Sequence, residues 1–255
     1  MENKYKLTEE TIIIENKTLY RIEALKDFSD VKNGDKGGFV ENERNLSQYG
    51  NCWIYDNAKV YEGAIVCNNA IVCDNAKVYD NAKVYDNAMV YDDATICDNA
   101  MVYDNAKIYN NAKVYGDVMI YGNSEVYGNG EVYDNAAVYN NAAVYGDAEV
   151  SGCVILYDNV KIYGNAKVFG NANVYGYAKV CGDATIESNS DYIVFKNWWS
   201  SGRYFTWTRS NDMWKTGCFH GTGKELIEKA YKDSELSGRE YERVVKYVES
   251  ILKNS

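Results

Sequence analysis

The sequence predicts an all-β solenoid, and three observations predict it. Aliphatic residues recur every six positions from Ile54 to Ile186 without a slip of phase, so that twenty-three successive sites hold Val, Ile or Leu. A small residue, usually Ala, stands two positions before each one (Ala58, Ala64, Ala70), with exceptions at Cys52, Val118, Ser124, Gly130, Val154 and Val160. Each unit then closes on a dipeptide such as Asp-Asn, Gly-Asn or Gly-Asp, which favours turns and tolerates positive φ. Within a unit, Ala-Lys-Val-Tyr alternates small, polar, aliphatic and aromatic, which is strand periodicity. Each unit therefore reads as a four-residue strand plus a corner. One such strand cannot bury its Ala and Val alone, but stacked turns of a coil give a continuous inner core.

The motif of an aliphatic residue with a small residue two positions earlier resembles the hexapeptide-repeat, left-handed parallel β-helix family. The resemblance covers Cys52 to Glu187 and implies a triangular prism with three hexapeptides per coil. Twenty-three units make nearly eight coils, a prism roughly 35 Å tall at the usual inter-strand spacing.

The chain divides into three segments. Residues 1–50 read as an N-terminal β cap, in which TIIIENKTLYRIEAL forms two strands around a turn at Glu15-Asn16-Lys17. VKNGDKGGFV reads as a Gly-rich loop; Gly37 and Gly38 suggest phosphate binding, but the spacing is not that of a P-loop. A cap that covers the first coil's open edge is the simpler expectation. Residues 51–187 are the solenoid. Residues 188–255 form a β-then-α module with turns near Ser201-Gly202 and Asn211-Asp212. Thr222 is placed to cap a helix from Gly223 to about Ser234, and Ser237 a second helix. In that second helix Tyr241, Val244, Val245, Val248, Ile251 and Leu252 share a face.

The net charge of −10 sits on the solenoid, which carries 8 basic and 18 acidic residues, while residues 188–255 carry 11 and 9. An acidic prism disfavours binding to a nucleic-acid backbone. No apolar stretch is long enough to cross a membrane and the N-terminus shows no signal peptide, so a cytoplasmic protein is expected. Of the seven cysteines, Cys67, Cys73, Cys97 and Cys181 occupy the Tyr slot, yet no two of them differ by the 18 residues that separate stacked neighbours. Reduced thiols are expected.

Sorting outward positions by residue number distinguishes three faces. One presents Lys59, Lys77, Thr95 and Lys113 and reads as solvated; another begins with Trp53, Ile71 and Met89. The third presents Met101, Met119 and Ile155 beside Tyr103, Tyr121 and Tyr157. An outward apolar column of this kind marks an interface, here expected to join copies of the chain or to receive a foreign protein. Tyr in the repeat either reinforces coil stacking or makes a Tyr-rich binding surface. Asp56, Asp74 and Asp92 stack at one corner, as a solvated turn or a Ca²⁺-binding column. The C-terminal module adds Trp198, Trp199, Trp207, Trp214 and the chain's single His220 to the candidate binding residues.

The C-terminal GCFHGT turn, with its acidic helix, and the N-terminal LYRIEALKDF and GNCWIYDNA stretches resemble phage- and prophage-encoded hexapeptide proteins. That resemblance implies no assigned chemistry, no cofactor and no catalytic residue. Together with the acidic prism and the lack of a His in the repeat, it leads to the expectation of a non-catalytic interaction protein acting in the host cytoplasm, for example as an inhibitor of a host defence protein. Most enzymes with this β-helix are acyltransferases that use a His general base, and the run from Ile54 to Ile186 contains neither a His nor an inserted loop. Acyl transfer and a self-associating structural role are the alternatives.

Overall fold

The computed structural model describes residues 3–253. The repeat forms twenty-three two-residue strands, from β4 (Trp53–Ile54) to β26 (Thr185–Ile186). Each pairs in parallel with the strand eighteen residues away, as in Lys59↔Lys77 and Val60↔Val78. Every third strand joins the same sheet, which gives sheets of eight, eight and seven repeat strands, one of the eights being extended to eleven by the N-terminal cap. The strands are shorter than the four residues expected because the chain turns as soon as the Tyr is passed. Hydrogen bonding to the next coil nonetheless continues into the corner, as Tyr55 N–H to Val72 O (2.8 Å) and Asn57 N–H to Asp74 O (3.0 Å) show. The aliphatic positions of all twenty-three units are fully buried, and the small residues two before them line the same core.

The corners explain the turn dipeptides. The first corner residue has positive φ throughout: 53° at Asp56, 59° at Asp74 and 72° at Gly164. Asp and Asn tolerate this conformation and glycine adopts it without strain.

The N-terminal cap is a hairpin, β1 (Tyr5–Ile14) and β2 (Lys17–Ala24), followed by β3 (Lys36–Val40). These three strands extend the eleven-stranded sheet, with β3 pairing to the strand at Lys59–Val60. The KGGFV segment is thus a strand rather than a loop. A Cβ on Gly37 would lie 2.5 Å from Ile54 O, and one on Gly38 would lie 2.5 Å from Ala58 O. These glycines let the cap press onto the first coil, so the phosphate-loop reading is set aside. Lys4 plugs the same end: its ammonium donates to Cys52 O at 2.9 Å, and burial pushes its pKa below the usual lysine range.

The C-terminal module is a four-stranded antiparallel meander, β27 (Tyr192–Lys196), β28 (Tyr204–Thr208), β29 (Met213–Thr216) and β30 (Phe219–Thr222). Helices α1 (Gly223–Asp233) and α2 (Glu235–Lys253) pack on it. Thr222 caps α1 in a capping box with Glu225. Ser237, expected as the second cap, lies inside α2; Ser234 Oγ accepts the Ser237 N–H at 3.1 Å and takes that role. No described helix is long and apolar enough to cross a membrane.

The module sits on the last coil and supplies the acceptors that coil lacks. Asn189 Oδ1 accepts from Asn173 N–H (2.7 Å), Thr206 Oγ1 from Lys179 N–H (2.9 Å), Ser210 Oγ from Thr185 N–H (2.7 Å) and Asp191 Oδ2 from Glu187 N–H (2.9 Å). An open sheet edge, which would otherwise invite another strand, is closed by side chains.

Candidate binding faces

The seven-stranded sheet carries the predicted apolar column. Met101 stands in register with Met119, Met119 with Ala137, and Ala137 with Ile155. Met119 is 37% exposed, while Met101 and Ile155 are half-buried. Beside them Tyr85, Tyr103, Tyr121, Tyr139, Tyr157 and Tyr175 stack nearly parallel, with ring centroids 4.8–5.5 Å apart. The result is a flat, rigid strip in which aromatic rings and thioether or aliphatic side chains run along the prism axis. A second ladder runs from Tyr91 to Tyr163 on the eight-stranded sheet. The first residue of that sheet's apolar run is not free: Trp53 is 1% exposed, covered edge-on by Tyr5 and Phe28 of the cap, while Ile71 and Met89 are half-buried.

The tryptophans of the C-terminal module separate into two groups. Trp207 and Trp214 are 1% exposed and pack with Phe205, Leu226, Tyr241 and Val248, so they are core rather than surface. Trp207 Nε1 donates to Asp212 at 2.8 Å. Trp198 is 73% exposed, and Trp199 lies edge-on to it and to Tyr241. His220 is exposed on β30, opposite Lys215 of β29, and its ring lies over Gly182 of the prism. The fold does not place His220 on any of the three prism faces.

The corner carboxylates act in the scaffold. Asp74 Oδ2 accepts from Asp92 N–H (3.2 Å), and Asp92 Oδ2 from Asn110 N–H (3.0 Å). Asp80, Cys97 and Asp98 bring three possible ligand atoms within 4.8 Å of one another. Asp80 Oδ2, however, already accepts from Asp98 N–H. All seven cysteines are free thiols, and burial raises the pKa of Cys73 to about 12, so it is a poor nucleophile at neutral pH.

Sequence reasoning missed a basic cluster where the prism meets the module. Lys161 and Lys179 are register partners at the end of the eight-stranded sheet. Thr206, which holds the Lys179 N–H, pairs across the meander with Lys215. The Lys215 ammonium stands 6.0 Å from the Tyr163 ring. Burial lowers the Lys179 pKa first, and Lys161, Lys215 and Arg203 lower it further. The only trace in the sequence was the positive balance of the tail. Around the neighbouring corner, Tyr175, Tyr177, Tyr192, Ile193, Val194 and Tyr204 line a groove of about 500 Å³, with Tyr177 and Tyr204 stacked at 4.2 Å.

Comparison with known proteins bears on the repeat. A family described as the YdcK beta solenoid repeat matches residues 82–97. A 60-residue stretch is 42% identical to a protein named "Uncharacterized acetyltransferase YdcK" from Escherichia coli (strain K12). The match covers 20% of this chain and 18% of that protein. The chain thus carries a β-solenoid repeat similar to that of YdcK, and four-fifths of the relative's length lies outside the match.

Proposed function

We propose that this chain is a non-catalytic binding protein whose docking face is the seven-stranded sheet. The observation that carries this reading is the strip formed by the stacked tyrosines Tyr103, Tyr121 and Tyr157 beside Met101, Met119 and Ile155. Tyr and Met are enriched at protein interfaces, and stacked rings lose little side-chain entropy when a partner covers them. The occupant proposed is a second copy of the chain, since isologous homodimers are the commonest assembly. In a finer form, suggested by the phage-like flanks, the assembled prism inhibits a host protein in the cytoplasm, with Trp198 and Trp199 of the β27–β28 loop as further contacts.

The test is a sizing column with light scattering on Met101→Glu combined with Met119→Lys. Beside Lys83, with which Met101 is in register, this pair makes a column of alternating charge that leaves the core untouched. The variant should run as a monomer with an unchanged melting temperature. Lys77→Glu, on the eleven-stranded sheet beside Lys59, should leave assembly intact. A wild type that is monomeric at high concentration would exclude self-association through this face.

Acyl transfer is the second reading, favoured by the name of the E. coli relative. Its residue would be His220, the chain's one imidazole. Acetyl-CoA turnover that disappears in His220→Ala would replace the binding-protein reading with this one.

A further inference from the structure

The C-terminal end of the eight-stranded sheet gathers positive charge on a molecule whose net charge is −10. Lys161 and Lys179 occupy adjacent rungs. Lys215 lies over the Tyr163 ring, on the ladder that flanks those rungs. Arg203 reaches toward Gly217, in the turn between β29 and β30, and His220 sits across from Lys215. Among the described residues none of Lys161, Lys179, Arg203 and Lys215 forms an ion pair, whereas eight lysines elsewhere do. On the eleven-stranded sheet two lysines of the repeat meet glutamates on neighbouring rungs, Lys113 with Glu131 at 2.7 Å and Lys167 with Glu149 at 2.9 Å, while Lys59 and Lys77 stand together at its other end. Here the same outward column ends with two lysines in succession, and the module adds further cations instead of carboxylates. Like charges held together without counter-charge raise the free energy of the empty protein, and a bound anion relieves it.

We propose that Lys161, Lys179, Arg203 and Lys215 form a binding site for a linked polyphosphate anion. A row of ammonium groups at the strand spacing of about 4.8 Å matches a chain of phosphates better than a single one. Lysine binds phosphate as a point charge and arginine as a planar fork. The cluster spans two rungs and one hairpin, far less than the roughly 800 Å² per partner of a stable protein interface. The acidic prism around it opposes a longer nucleic-acid track. The stacked Tyr177 and Tyr204 adjoin Lys179 and Arg203 in sequence and offer a flat wall to a base, if the phosphates belong to a nucleotide. This site is independent of the docking face on the seven-stranded sheet.

Isothermal titration of the full chain with inorganic tripolyphosphate at low salt tests the site. Saturable binding is expected, weakening by about tenfold or more in Lys179→Gln combined with Lys215→Gln as charge-assisted contacts are lost. Arg203→Gln, an exposed change that the fold tolerates, should weaken it in the same direction, while Lys77→Gln on another sheet should not. A parallel titration with ATP separates the sources. Tighter binding than tripolyphosphate, lost in Tyr204→Ala, assigns a nucleotide; equal binding assigns free polyphosphate. No binding by the wild type, or equal binding by the wild type and the lysine variants, overturns the proposal.

Discussion

Asp92 shows how much a single corner residue carries. Its backbone sits at φ 59°, its own N–H donates to Asp74 Oδ2, and its carboxylate accepts from both the backbone and the side-chain amide of Asn110, at 3.0 and 2.9 Å. Further along the same column Gly128, Gly146 and Gly164 hold the same conformation without a side chain. Asp92→Gly should therefore lose about 1 kcal/mol of hydrogen bonding while relieving backbone strain. Asp92→Val should lose the same bond and add about 1–3 kcal/mol, because a β-branched residue is held at positive φ. Melting temperatures should fall in the order wild type, glycine, valine, and a valine variant as stable as the glycine one would show that the corner is not strained. The turn itself was legible in the sequence. The choice between a bare solvated turn and a calcium column was not, because each carboxylate's partner is a backbone amide eighteen residues away.

Tyrosine stacks on all three sheets, including the pair Tyr115 and Tyr133, behave as units because neighbouring rings cover one another. Burial, followed by neighbouring phenols and acids, raises the pKa of Tyr103, Tyr115 and Tyr145 to about 12. An unfolded tyrosine titrates near 10, so between those values the folded state holds more protons than the unfolded one. Stability is then fully present below pH ~10 and falls as pH rises through the folded values. Alkaline titration should show phenolate absorbance appearing late, together with loss of β-sheet ellipticity. Phenolate formation near pH 10 with the fold intact would contradict the stacking. The ladder was foreseeable from the period of six. The fates of the tryptophans were not: Trp207 and Trp214 went to the core and Trp198 to solvent, and nothing in the local pattern of a short meander says which side its helices will cover. The KGGFV strand escaped notice for a similar reason, since two glycines read as a loop until a neighbouring coil explains their missing side chains.

Across the whole molecule one phase is kept from the first coil to the last, and both ends are fitted to it. Deleting eighteen residues, 129–146, removes one coil, spares the named Met, Ile and Tyr positions and returns every later side chain to the face it held. Deleting six, 129–134, shifts every later residue by one face, so that the C-terminal module is turned by one face relative to the cap. The eighteen-residue deletion should keep a cooperative melt and the parent's assembly. The six-residue deletion should keep the melt but lose assembly through the seven-stranded sheet, because its apolar and Tyr columns are split between two faces; light scattering distinguishes the two. Rigid stacking also makes the prism a ruler. Each coil sets the two ends about 4.8 Å further apart, so the distance between whatever grips the hairpin and whatever grips the module is written in the number of turns and changes only in whole steps.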